Sequence, residues 1–278
     1  MNDEQNQDPL EIQRKLELRI RFLVETNAPD EELQKVYDEF HLFLLEHRGR
    51  DKSTEDFLYK SALSPIDSLF LKRIGEGKSL VEIGLGDGCF LFNCARNGNS
   101  VSGIDISSVV VKRVQELFKR EHLNGQIKLG EARKLAFPSK TFDLVVSKDL
   151  VEHLLEKDLP VHLSEVWRVL KENGCYLIWT PSILLGHTSM GGHMKEYNLS
   201  EMLQKLRSSG FKPVWLNLLF FRLFGLMQEI SNSYVIQFLL GYEKILQKTF
   251  GTLGIQIRHP IIYLVVPPIC VAGYKGKQ

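Results

Sequence analysis

The run Val81-Glu82-Ile83-Gly84-Leu85-Gly86-Asp87-Gly88 holds the residues whose types and spacing best suit chemistry. Glycines at 84, 86 and 88 let the backbone pass close to a bound ligand, because no Cβ stands in the way. Two cofactor classes use such a turn. A dinucleotide site asks for G-x-G-x-x-G, with its third glycine at the helix–strand contact. Position 89 is Cys, so the spacing here is G-x-G-x-G. Glu82 precedes the loop by two residues. Such an acid suits a cationic ammonium group and would repel a pyrophosphate. No G-K-[ST] follows, which excludes a Walker phosphate loop. Asp105 closes the next apolar run, Val101-Ser102-Gly103-Ile104-Asp105, where it is placed to accept the hydroxyls of a ribose. A nucleoside cofactor without phosphate fits both acids together.

Elements must hold these residues in place. Ser79–Ile83 reads as a short buried strand that feeds the glycine loop, and a helix follows over 89–96. Residues 101–105 make a second strand, 108–120 a helix, 126–129 a third strand and 141–147 a fourth. A helix over 160–171, an Asn173-Gly174 turn and a strand over 175–180 come next. A helix over 199–209 ends at Gly210, a sixth strand covers 211–218, and the last strand lies near 268–274. Strands alternating with helices imply a mostly parallel sheet covered on both faces. The expected fold is therefore α/β, a three-layer Rossmann-like arrangement with a seven-stranded, mostly parallel sheet. Residues 1–76 read differently. Helices over 9–26, 30–46, 53–61 and 65–74 make a helical cap, and 77–278 is the α/β domain. Residues 219–266 are too long for an ordinary connection and rich in Leu, Ile and Phe, so they read as a helical insertion before the last strand.

Composition sets limits. With 35 basic and 34 acidic side chains the net charge is +1, which carries no nucleic-acid signature. Cys89, Cys94, Cys175 and Cys270 form no C-x-x-C pair, and the expectation is four reduced thiols in a cytoplasmic protein. The apolar runs 214–227 and 261–272 are shorter than the ~20 residues a spanning helix needs, so no transmembrane segment is expected.

The sequence resembles the class I S-adenosylmethionine-dependent methyltransferases, within them the small-molecule branch that includes the ubiquinone and menaquinone biosynthesis enzymes. VEIGLGDG (81–88) is similar to the family's first motif, and Ile104-Asp105 to the acidic end of its second strand. GEARKLAF (130–137) resembles G-D-A-x-x-L-P-F. FDLVVSKDLVEHL (142–154) and EVWRVLKENGCYLI (165–178) resemble the fourth and fifth strands with their flanks. The resemblance implies S-adenosylmethionine as cofactor, with S-adenosylhomocysteine as product. It places Glu82, Gly84, Gly86 and Gly88 around the amino-acid part and Asp105 on the ribose. Ile106 packs on the adenine, Glu131 and the Ala132 amide read its edge, and Ser147 and Lys148 border the methionine portion. Lys148 stands where a small residue is usual, so its backbone is the part that carries over.

A sulfonium already activates the methyl, so the enzyme must align a nucleophile and exclude water. A base is needed when the nucleophile is a hydroxyl or a protonated amine. His153, His193 and Asp149 are the candidates, Asp149 reading equally as a group that binds cofactor or substrate or as an exposed carboxylate at a helix start. His153 lies in the Glu-His pair after the fourth strand. His193 lies in GGHMKEYNLSEML (191–203), which resembles the family's stretch ahead of its last major helix, with Tyr197 at the aromatic position. Glu152, His153, His162, His187 and His193 show no recognised ligand spacing, so no metal is expected. The aromatic insertion points to an apolar or amphipathic acceptor such as a lipid, quinone precursor or decorated sugar, with O-methylation slightly ahead. It equally suits a homodimer face or a peripheral membrane contact. Protein or peptide N-methylation, and cofactor binding without transfer, remain rival functions. Nucleic acid is not an expected partner: [DNS]-P-P-[YFW] is absent.

Overall fold

The computed structural model describes residues 8–47, 65–181, 192–217, 228–230 and 269–276. By contact the chain divides into two compact units, Met1–Leu135 with Ser189–Met194, and Ala136–Thr188 with Lys195–Gln278.

The first unit opens with a helical hairpin. Asp8 starts α1 (Pro9–Glu25) by accepting the Leu10 amide, one of the donors a helix start leaves unsatisfied. α2 (Asp30–His47) begins on three acids, which suit the positive end of its dipole. Ile20, Leu33 and Val36 form the hairpin core, with Tyr37, Phe40, Ile106 and Met194 packed on it. After α3 (Pro65–Ile74) come β1 (Ser79–Ile83), α4 (Cys89–Arg96), β2 (Ser100–Asp105), α5 (Ser108–Arg120) and β3 (Gly125–Leu129). The three strands lie in the order β3-β2-β1, all parallel. Val110, Val114, Leu117 and Phe118 recur at helical spacing and bury the inner face of α5.

The second unit runs β4 (Phe142–Lys148), a short 3₁₀ turn (Val151–His153), α6 (Leu159–Val169), β5 (Leu170–Thr180), α7 (Leu199–Ser208), β6 (Lys212–Asn217), β7 (Gln228–Ile230) and β8 (Ile269–Tyr274). Their order is β4-β5-β8-β6-β7. β4 and β5 are parallel; β8 is antiparallel to both β5 and β6. Asn198 and Glu201 close a reciprocal capping box at the start of α7. The expected Asn173-Gly174 turn is an irregularity within β5. The register shifts between Phe142 and Leu144, and Asn173 takes a φ of 62°.

The Rossmann-like α/β fold expected from the sequence is present, and its seven strands are all found. β7 is an addition. It pairs antiparallel with β6 inside the segment read as a helical insertion. The rest of that insertion and the expected helix over 53–61 lie outside the described residues. All four cysteines are buried thiols, none of them in a disulfide. Among the described residues no helix is long and apolar enough to cross a membrane.

Candidate active site

The parallel register sets the site in the first unit. β1 and β2 run side by side, with Glu82 opposite Gly103 and Ile83 opposite Ile104. Glu82 is buried at 1% exposure. The loop beyond it is tied to the end of β2 twice: the Gly84 amide donates to Ile104 O at 2.9 Å, and the Leu85 amide to Asp105 Oδ2 at 2.7 Å.

Two glycines of the loop do different work. Gly86 has a φ of 54°, and a Cβ added there would meet nothing within 4 Å, so the backbone borders open space at that point. Gly88 has a φ of 76°, and a Cβ there would come 2.6 Å from Val114 Cγ2. Its bareness lets α4 begin against α5. Asp87 Oδ1 accepts the Cys89 amide and caps the same turn.

Asp105 is 7% exposed. Its Oδ1 accepts the Ser107 amide at 2.9 Å, and its Oδ2 the Leu85 amide. Burial pushes its carboxyl above the ordinary carboxylate range. Backbone donation from Ser107, the charge of His41, and donation from Leu85 and Gly86 pull against that without cancelling it. A carboxylate has about four acceptor positions, so capacity for a ligand hydroxyl remains. A backbone bordering open space, a buried acid beside it and a second acid at the next strand end fit a nucleoside that carries an ammonium-bearing tail. The two buried acids disfavour a pyrophosphate.

Ile106 is partly buried against the hairpin core. The Gly130 amide donates to Asp105 O at 2.9 Å, which brings the Glu131–Ala132 segment beside Asp105. Glu131 is ion-paired with Arg133. His193 sits between Gly192, where a Cβ would lie 3.7 Å from Ile20 Cγ2, and Met194, which packs on the hairpin core. These all belong to the first unit.

In the second unit, Ser147 is fully buried and its hydroxyl lies 2.7 Å from Tyr176 Oη, which in turn lies 2.8 Å from His162 Nε2. That hydroxyl is committed to the core. Lys148 ends β4, and Asp149 beyond it has a φ of 48°, an uncommon value for a residue with a side chain. His153 closes the 3₁₀ turn and is partly buried. Next to it Glu152 is fully buried and accepts from Thr180 Oγ1 at 2.9 Å. Tyr197 is fully buried as well, and burial pushes its phenol upward, followed by the nearby charge of Glu156.

Residues 81–178 match the family described as "Methyltransferase domain". Over those residues, from within β1 to within β5, the chain is similar to a methyltransferase domain. A "Probable S-adenosylmethionine-dependent methyltransferase" of Mycolicibacterium smegmatis is 28% identical over 141 residues, 49% of this chain and 52% of the relative. A ubiquinone biosynthesis O-methyltransferase of Azoarcus sp. is 31% identical over 144 residues, 49% of this chain and 57% of the relative. The chain thus spans about half the length of the curated relatives it matches. Two solved structures share the methyltransferase fold over more of the chain. The 1,6-didemethyltoxoflavin-N1-methyltransferase of Burkholderia thailandensis has a TM-score of 0.57 at 14% identity, covering 90% of this chain and 92% of its own. Phosphoethanolamine N-methyltransferase 2 of Haemonchus contortus has a TM-score of 0.56 at 18% identity, covering 86% and 60%.

Sequence reasoning did not single out the α2 side chains around Asp105. Tyr37, Asp38 and His41 all act on Asp105 or on the residues just after it. Their only signal is a position on an amphipathic helix. His162 had a clearer signal, a histidine among the apolar positions Leu159, Leu163 and Val166 of α6.

Proposed function

We propose that this chain transfers the methyl group of S-adenosylmethionine to a small apolar or amphipathic acceptor, with O-methylation slightly favoured. The observation that carries the reading is the pairing of the open Gly86 backbone with the buried Asp105 at adjoining strand ends. Glu82 and the 84–88 backbone take the amino-acid end of the cofactor. Asp105 takes the ribose hydroxyls, Ile106 packs on the adenine, and Glu131 with the Ala132 amide reads its edge. The backbones of Ser147 and Lys148 border the methionine portion. The cofactor supplies a methyl group already activated by its sulfonium. The chain supplies alignment, exclusion of water and, for a hydroxyl nucleophile, a base, for which His193 is the first candidate and His153 the second.

The test uses the purified chain with methyl-labelled S-adenosylmethionine and a panel of phenolic, quinone-like and lipid acceptors. Label that partitions into organic solvent supports the reading, and EDTA is expected to leave the rate unchanged. Label in protein or peptide substrates, with none in the small molecules, overturns the acceptor class. A rate that EDTA abolishes overturns the metal-free mechanism.

A further inference from the structure

The hairpin is joined to the ribose acid's own segment by one side chain. Asp38 lies in the middle of α2. Its Oδ1 accepts the Ser107 hydroxyl at 2.7 Å and the Val109 amide at 3.2 Å, and its Oδ2 accepts the Ser108 hydroxyl at 2.7 Å. A carboxylate from a helix some seventy residues earlier therefore caps the first turn of α5.

Ser107 does three jobs at once. Its hydroxyl donates to Asp38 and accepts the Val110 amide at 3.4 Å, while its own amide donates to Asp105 Oδ1 at 2.9 Å. The serine is fully buried. A continuous path Asp38–Ser107–Asp105 thus links α2 to the ribose acid. Either side of Asp38, α2 presents Tyr37 and His41. Tyr37 packs on the hairpin core that also receives Ile106, the residue assigned to the adenine face. Burial first, and then the charge of Asp105, push the Tyr37 phenol upward, which places the ring within electrostatic reach of that acid. His41 Nδ1 lies 2.8 Å from Tyr37 O, and a carbonyl only accepts, so Nδ1 carries the proton. On the far side, Gly192 and Met194 of the segment carrying His193 rest on the same hairpin.

We propose that Asp38 is a positioning residue for cofactor retention: through Ser107 and Ser108 it holds α2 against the ribose acid, so that Tyr37 and Ile106 close the nucleoside side of the site. This rests on the methyltransferase reading. The hairpin is then a closure whose latch is one carboxylate. A bound nucleoside is released when the latch opens, so the latch governs dissociation more than association.

The experiment measures S-adenosylhomocysteine and 5′-methylthioadenosine binding to the full chain, with rates, for wild type, Asp38→Ala and Asp38→Asn. In Asp38→Ala the dissociation rate should rise about tenfold, in line with the loss of a helix cap, and by the same factor for both ligands, since both carry the nucleoside. Asp38→Asn keeps one carbonyl acceptor and gains a donor for Ser108 Oγ, and should stay near wild type. Should Asp38→Ala fail to fold, Ser108→Ala removes one bond only and should give a smaller rise of the same kind. Wild-type binding that none of these variants alters overturns the latch alone. Weakening confined to S-adenosylhomocysteine overturns the nucleoside-side assignment. Absence of binding to wild type overturns the methyltransferase reading and the latch with it.

Discussion

Two aspartates of the first unit, at the end of β2 and in the middle of α2, are driven in opposite directions. Asp105 is buried, and loss of water lifts its carboxyl above the ordinary range. Asp38 is only partly buried. Desolvation works on it too, but the hydroxyls of Ser107 and Ser108 and the amides of Val109 and Ser108 outweigh it and hold its carboxyl below the ordinary range. A fully satisfied acid is a structural joint. An acid kept dry, with acceptor capacity left over, is poised to take donors from a ligand. Burial alone does not separate the two roles; the balance between desolvation and donors does.

The sharpest break between them is Asp105→Ala. Hydrogen bonds to a charged group are worth about 1.5–3 kcal/mol each. Loss of the ribose contacts should weaken S-adenosylhomocysteine binding about a hundredfold, well beyond the effect at Asp38. Comparable losses at the two positions, measured by calorimetry, would erase the distinction. Next comes the wall behind the cradle. Gly88→Ala places a Cβ against Val114 at a backbone φ of 76° and should cost about 1–3 kcal/mol, the range for a residue forced into a sparse backbone region. A thermal midpoint within a degree of wild type would contradict that. Tyr176→Phe removes the hydroxyl between Ser147 and His162 and should cost about 1–3 kcal/mol of stability. It should leave cofactor affinity alone; a large loss of affinity would move the Ser147 hydroxyl into the ligand site.

The smallest effect is one of order along the pH axis. Ribose hydroxyls donate, so binding needs Asp105 ionised and is lost as pH falls through its raised folded value, above the usual ~3.9. The depressed Asp38 contributes stability that is present above ~3.9 and is lost only as pH falls through its lower folded value. Acidification should therefore release cofactor before it frees α2. Hydrogen exchange in α2, followed beside a binding titration, checks the order, and the reverse order contradicts it.

These two regions also differ in how far they could be read from sequence. The cradle is contiguous. Glu82, the glycines and Asp105 lie within one βαβ unit, and strand pairing alone brings them together, so residue type and spacing carried the assignment. The division of labour between Gly86 and Gly88 was not legible, because it depends on Val114 reaching back from α5. The latch is non-local. Nothing about an acid on the polar side of α2 says that it will cap a helix beginning at Ser108. The Ser147–Tyr176–His162 chain is hidden for the same reason, since it joins two strands and a helix through the packed core of the second unit.

Calorimetric titration of the purified full chain with S-adenosylhomocysteine, repeated on Asp105→Ala and with NADH as control ligand, tests the central claim most directly. The account predicts binding by wild type, a loss of about a hundredfold in Asp105→Ala in keeping with charged hydrogen bonds, and no heat from NADH. Binding of NADH in place of the nucleoside product, or S-adenosylhomocysteine binding indifferent to Asp105, would contradict it.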